Sequence, residues 1–242
     1  MNENKKNKVL LSVIMPVYNE EIHIREILEK ILVAPLPENV EKEIIAIDDG
    51  SIDDSGKILE EFEAKHNIIT HDLIVNCGKG TAVRMGLRKA KGDIIIIQDG
   101  DLEYNPNDYA AIIEPLLKGE VEVVYGSRFM GNIGNMKFVN RIGSSVLNIL
   151  TSILYGIKIT DQFTAYKAFK SDVIRSLHLR CRGFEFCSEV TNKLLKRGIK
   201  IKEVPISYSG RTRAQGKKGG SWKDFFVALY FILEYKFFIK QV

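Results

Sequence analysis

The sequence predicts an α/β protein built on a mainly parallel sheet flanked by helices, and three observations carry that prediction. Through residue 126, short β-branched apolar runs alternate with longer amphipathic segments, the pattern of successive βαβ units. Acidic, glycine-bearing clusters follow two of the runs directly, as in Asp48-Asp49-Gly50 and Asp99-Gly100-Asp101, which suits strands ending at a functional edge. The composition, 45% hydrophobic, 27% charged and 9% aromatic over 242 residues, supplies a core and excludes a mostly disordered, collagen-like or disulfide-scaffold chain.

The elements follow in order. Leu10 to Val17 reads as a first buried strand, because Pro16 and the acidic Glu20-Glu21 make a poor signal peptide of it. Glu20 to Leu32 is an amphipathic helix and Glu43 to Ile47 a second strand. Asp53 to His66 is a helix with Ser51 or Asp53 as its cap, and His71 to Val75 a third strand. Gly80 to Lys91 continues as helix, Asp93 to Gln98 as a strongly apolar strand, and Asn107 to Leu117 as a helix with Pro106 in its first turn. Val121 to Tyr125 is the fifth strand. Beyond Arg128, the Gly/Asn-rich stretch from Gly131 to Asn135 reads as a loop, Phe138 to Tyr155 as an amphipathic helix and Ala165 to Phe169 as a short strand. Helices at Ser171 to Leu177 and Glu185 to Lys196, a strand at Ile199 to Tyr208 and a basic loop from Gly210 to Gly220 complete the pattern before the apolar tail Phe225 to Ile239. Two units result, a main domain over 1–210 and a basic loop with an amphipathic helix over 211–242.

Charge and cysteines narrow the function. A formal charge of +4 is too small to name nucleic acid as a partner, and the basic loop lacks interleaved aromatics. Cys77, Cys181 and Cys187 show no metal spacing or disulfide framework, which fits a reducing, cytoplasmic setting.

The sharpest chemistry is in IIIIQDGDLEY. Asp99 and Asp101 at i and i+2 on extended backbone would share a side, with Gly100 allowing close approach; such hard oxygen ligands suit Mg2+ or Mn2+ with a diphosphate. Asp48 and Asp49 end the second strand as acceptors for a nucleobase or ribose, and Ser51 or Asp53 capping accounts for only part of that cluster. Tyr18 is placed to cover a base, while Glu20 either bonds a ligand or favours the helix N-terminus. NCGKGTAVRMG satisfies neither the Walker nor the dinucleotide fingerprint, yet Lys79-Gly80 offers backbone N–H groups and a cation to an anion. Arg128, Arg141 with Ser145, Arg211 and Lys217 place separated cations along the same edge, a phosphate-binding pattern. The four histidines read as structural or surface residues.

SVIMPVYNEE, AIDDGSIDDS, NCGKGTAVRMG, GDIIIIQDGDLEYNP and VVYGSR, in this order, resemble glycosyltransferase family 2. NRIGSSVLNIL, TDQFTAYKAF, GFEFCSEVTNKLLKRG and the late basic loop resemble its polyprenol-phosphate, dolichyl-phosphate mannose synthase-like branch. The resemblance implies a GT-A fold, a nucleotide-sugar donor such as GDP-mannose or UDP-glucose, a divalent cation and inverting transfer of a hexose to polyprenyl or dolichyl phosphate. By position, Asp99, Asp101 and Glu103 correspond to the metal side, and Pro16, Tyr18, Glu20, Asp48 and Asp49 to the nucleoside side. Arg128, Arg141 and Ser145 correspond to the acceptor phosphate, and Arg211 and Lys217 to a loop that closes over phosphates. Glu103 stands where relatives often have Gln, and Arg213, Gln215 and Gly219 depart from the GRTYxEGKKI form of that loop.

Val146 to Ile159 and the tail present wide apolar faces suited to a membrane surface or, alternatively, to the core or a homodimer interface; Trp222 and Lys223 suit an interfacial anchor. The resemblance also admits a membrane partner subunit. Two other functions fit the same motifs: a family member acting on a soluble glycan or protein acceptor, and a non-catalytic nucleotide-sugar-binding subunit.

Overall fold

A strand covered on both faces needs an apolar residue at every position, and Ile94–Ile97 (β4) supplies four buried isoleucines. The computed structural model describes residues 8–211 and 222–239, with β4 at the centre of a seven-stranded sheet. The sheet order is β3-β2-β1-β4-β6-β5-β7. These strands are β1 (Val9–Val17), β2 (Val40–Asp48), β3 (Ile68–Asp72), β5 (Val123–Asn132), β6 (Lys167–Lys170) and β7 (Ile201–Ser207). β1 pairs in parallel with both β2 and β4, so strand order reverses beside β1. β6 is antiparallel to both neighbours, β4 and β5, and β7 returns parallel to β5.

Helices cover both faces, as alternating side chains on a two-sided sheet require. Leu11, Val13 and Met15 of β1 pack with Ile24, Ile27 and Leu28 of α1 (Ile24–Val33), Leu59 of α2 (Ser55–Lys65) and Ile112 of α4 (Tyr109–Leu117). Ile14, Ile45 and Ile95 face Ala82 and Val83 of α3 (Lys79–Lys89), Ile174 of α6 (Ser171–Ser176) and Val190 of α7 (Phe186–Lys196). A smaller cluster of Leu147, Ala228 and Ile232 joins α5 (Phe138–Tyr155) to α8 (Trp222–Phe237). No helix among the described residues is long and apolar enough to cross a membrane.

Several expected bounds shift: α1 starts at Ile24 rather than Glu20, β2 at Val40 rather than Glu43, β6 at Lys167 rather than Ala165 and β7 at Ile201 rather than Ile199. The third strand starts three residues before His71, because α2 ends at Lys65 and His66 is already extended, and Ile68 registers with Ile44. The stretch expected as a loop from Gly131 begins inside β5, which runs on beside β7 through a register shift; a Cβ on Gly131 would stand 2.1 Å from the Ile206 carbonyl oxygen, so only glycine allows that approach.

Candidate active site at the carboxyl edge of the sheet

The carboxyl ends of β1, β2 and β4 open on one edge, where the order reversal separates the connecting segments. At the end of β1 the backbone turns through Asn19, whose φ of +49° is left-handed. That turn is held from α2's approach: Asn19 N–H donates to Ser51 Oγ, Ile52 N–H to Asn19 Oδ1, and Glu20 N–H to Ser55 Oγ. Glu20 is thereby fixed, buried, at the head of α1. Pro16 pairs with Ile47 at the base of the same edge, and Tyr18 lies half-buried beside it.

Asp48 and Asp49 are buried and partly occupied by their own chain. Asp48 Oδ1 accepts the Ser51 N–H at 2.9 Å, and Asp49 accepts those of Cys77 and Gly78, each at 2.8 Å. Burial raises the Asp49 carboxyl above its ordinary value, against the pull of those two N–H groups. Asp49 therefore anchors the turn that delivers Lys79. Gly80 serves packing more than ligand approach, since its Cβ would lie 2.4 Å from the Cys181 carbonyl oxygen.

Asp99 and Asp101 do not sit on the extended strand that their spacing suggested. β4 ends at Ile97, so both lie in the bend beyond it. Asp99 pairs with the Lys79 ammonium, whose pKa is held above the ordinary value: burial opposes its charge, and the surrounding acidic groups, Asp99 foremost, together outweigh burial. Asp101 Oδ1 accepts the Glu103 N–H at 2.9 Å, and its other oxygen meets Arg211. Burial, with the charges of Asp99 and Glu103, pushes the Asp101 carboxyl up to about 7 against the pull of Arg211. Glu103 accepts the Tyr208 hydroxyl at 2.7 Å and the Arg211 backbone N–H at 2.8 Å. Gly100 is buried against β1, with Val17 Cγ2 3.3 Å from where a Cβ would stand.

Arg211 Nη1 lies 2.8 Å from Glu20 Oε2, so one guanidinium joins Glu20, Asp101 and Glu103, residues far apart in sequence. This point of the edge already holds a positive charge, and its donors are hard oxygens, so the residues fit Mg2+ or Mn2+. Among the described residues no three acidic, histidine or cysteine side chains are arranged to hold a metal by themselves. Asp101, with Asp99 or Glu103 turned from its present partner, would leave the remaining positions to phosphate oxygens and water, as such ions prefer.

Arg128 departs from the expectation of an available phosphate ligand. It is buried, and its guanidinium is committed to Asp161 and stacked over Tyr208, 5.1 Å from the ring centre. Arg141 is exposed and Ser145 half-buried on α5. The start of α5 is drawn to this edge, since a Cβ on Gly134 would lie 2.3 Å from the Tyr208 carbonyl oxygen and one on Gly210 would lie 3.2 Å from that of Asn135. Lys217, with Arg213, Gln215 and Gly219, lies outside the described residues. Asp161 and Tyr208 are the organising residues that motif reading passed over, although Asp161 stands inside TDQFTAYKAF, a segment that resembles the family.

An open, mostly parallel sheet with its polar side chains gathered at the order reversal defines the doubly wound, nucleotide-binding class of α/β protein. A model of the family "Glycosyl transferase family 2" matches residues 12–177. The UDP-N-acetylglucosamine–dolichyl-phosphate N-acetylglucosaminyltransferase of Methanococcus voltae is 32% identical over 231 residues, covering 86% of this chain and 89% of that one. The dolichol-phosphate mannosyltransferase of Pyrococcus furiosus is 26% identical, covering 93% of this chain and 64% of its own. The glucosyl-3-phosphoglycerate synthase of Mycobacterium tuberculosis, solved with Mn2+, UDP and phosphoglyceric acid, superposes with a TM-score of 0.72 at 19% identity, covering 96% of this chain and 80% of that one. The chain belongs to glycosyl transferase family 2 and has the family's GT-A-like fold.

Proposed function

We propose that the protein transfers one sugar from a nucleotide diphosphate sugar to a polyprenyl phosphate of the dolichyl kind at the cytoplasmic face of a membrane, with inversion at the anomeric carbon. The observation that carries this reading is the meeting of Glu20, Asp101, Glu103 and Arg211 at one buried point of the edge, to which the start of α5, a helix with an apolar outer face, is drawn. A UDP-linked hexose or N-acetylhexosamine is preferred over GDP-mannose as donor. The relative named for UDP-N-acetylglucosamine aligns over more of its own length, and at higher identity, than the one named for mannosyl transfer.

In this reading Asp48, Asp49 and Tyr18 hold the nucleoside, and Lys79 and Arg211 meet the diphosphate. An acceptor phosphate oxygen attacks the anomeric carbon while the bond from that carbon to the diphosphate breaks, and the diphosphate leaves with the electron pair. Asp101 with Asp99 or Glu103 would hold a divalent cation, which would supply neutralisation of the charge that develops on the leaving diphosphate. The acceptor is already anionic at neutral pH, so Arg141 and Ser145 need only position it.

The acceptor's lipid places it at a surface. On α5, Phe138, Ile142, Val146, Ile149 and Ile153 are exposed at helical spacing; on α8, Trp222, Phe226 and Tyr230 are exposed in the same way. The test is transfer of labelled sugar from UDP-N-acetylglucosamine, UDP-glucose and GDP-mannose to polyprenyl phosphate in detergent, with Mn2+ or Mg2+ against EDTA. Metal-dependent, organic-extractable product from one donor is expected. Donor binding without lipid product would move the acceptor to a soluble glycan or protein, and absence of donor binding would overturn the enzyme reading.

A further inference from the structure

We propose that Arg211 is a built-in counter-cation that occupies the metal point of this edge, so that the divalent cation binds tightly only together with a diphosphate that draws the guanidinium away. The inference rests on the functional reading above, in which the edge takes a metal and a nucleotide diphosphate.

Glu20, Asp101 and Glu103 bring three carboxyl groups to a place almost closed to water, with side chains 9%, 12% and 10% exposed. Without a cation such a cluster is costly, because burial and mutual repulsion both oppose ionisation. Arg211, itself 9% exposed, supplies the cation. Its Nη1 and Nη2 stand 2.8 and 3.3 Å from the two oxygens of Glu20, and Nη2 also meets Asp101 Oδ2. Nε stands 3.8 Å from Glu103 Oε1.

The backbone is pinned at the same place. The Arg211 N–H donates to Glu103 Oε1, and the Ser209 N–H donates to the Glu103 carbonyl at 2.9 Å. Exchange therefore belongs to the long side chain, which can swing while its backbone stays tied. A divalent cation on Asp101 would compete with the guanidinium for the same oxygen and repel it at contact distance. A departing guanidinium needs another anion, and a diphosphate accepts it in two-pronged geometry. The consequence is a coupling that exceeds simple ligation of metal by phosphate: the protein alone resists the metal, and nucleotide releases that resistance.

Free Mn2+ measured by electron paramagnetic resonance, with and without UDP, tests this. The parent protein should take up Mn2+ weakly alone and strongly with UDP. Arg211→Gln should bind Mn2+ alone at least tenfold more tightly than the parent, Arg211→Lys should fall between, and Lys137→Gln, which removes an exposed positive charge at the start of α5, should match the parent. Far-UV circular dichroism confirms that each variant is folded. If Arg211→Gln and Arg211→Lys both bind Mn2+ alone no more tightly than the parent, while the parent still takes it up with UDP, the counter-cation proposal is overturned and the functional reading stands. If the parent takes up no Mn2+ with UDP or GDP, the metal-dependent reading itself fails.

Discussion

Arg128 and Asp161 form a two-pronged ion pair in the interior, with Nε 2.7 Å from Oδ2 and Nη2 2.8 Å from Oδ1. The Arg128 backbone N–H adds a third bond to the same carboxylate at 3.0 Å. Asp161 is in turn fixed by its own N–H on Glu203, which ties the segment before β6 to β7. A pair this deep is a framing device: it sets the end of β5 against the chain that enters β6.

Replacing Asp161 by Ala leaves Arg128 buried without its carboxylate. The expected cost is about 3–5 kcal/mol of folding stability, since an uncompensated buried charge is far worse than a lost surface pair. Urea unfolding followed by tryptophan fluorescence and circular dichroism measures it; a change below about 1 kcal/mol would contradict the framing role.

Gly80 tests the packing explanation of the lysine turn. An added methyl would collide with the Cys181 carbonyl, a backbone atom that has little room to yield. Gly80→Ala should cost about 1–3 kcal/mol and weaken nucleotide binding together with stability, because Lys79 moves with the turn. A variant as stable as the parent that loses only nucleotide affinity would restore the ligand-approach reading.

Glu189 gives the expected acid response. It is fully buried on α7 and accepts the N–H groups of Arg180 and Cys181, the Lys193 ammonium and the Tyr235 hydroxyl. Burial pushes its carboxyl up, but those donors outweigh burial and hold it below its ordinary value. A depressed acid stabilises fully above the unfolded value of about 4.3 and loses that contribution as pH falls through the folded value. Stability should therefore drop on acidification below about pH 4, and Glu189→Gln should be less stable at neutral pH with a flatter profile in that window. Denaturation midpoints from pH 3 to 7 decide this, and parallel curves for the two proteins would refute it.

The apolar stripes of α5 and α8 predict membrane affinity. Burying one such side chain is worth about 1.5–3 kcal/mol, so Ile149→Glu with Phe226→Glu should lower binding to phospholipid vesicles at least roughly tenfold. Nucleotide binding should stay at the parent level. Unchanged co-sedimentation would turn these faces toward a protein partner.

Much of this was legible in local patterns. The periodicity of Phe138 to Tyr155 matches α5 residue for residue, β1 and β4 follow from apolar runs closed by polar residues, and of β2 only the apolar part from Ile44 to Ile47 was legible, since the strand reaches back through the polar Glu41 and Lys42. Non-local features were hidden. Nothing in Lys167 to Lys170 announces that this short strand inserts antiparallel between β4 and β5, because pairing partners lie outside any sequence window. The same limit applies to the site. The motifs place Asp101 and Arg211 on one edge, yet only the folded chain shows that they touch, and that Arg128, grouped with the phosphate ligands, is paired with Asp161.

The inserted strand also dictates an order of assembly. On a ribosome, β1 to β4 can form as the chain emerges, but the open flank of β4 stays uncovered until Lys167 to Lys170 has been made, and β5 has no place to dock before then. An apolar strand with an unpaired edge is an aggregation hazard while it waits. Nascent chains stalled before residue 167 should therefore be sticky and chaperone-dependent, while those that have cleared β7 should not.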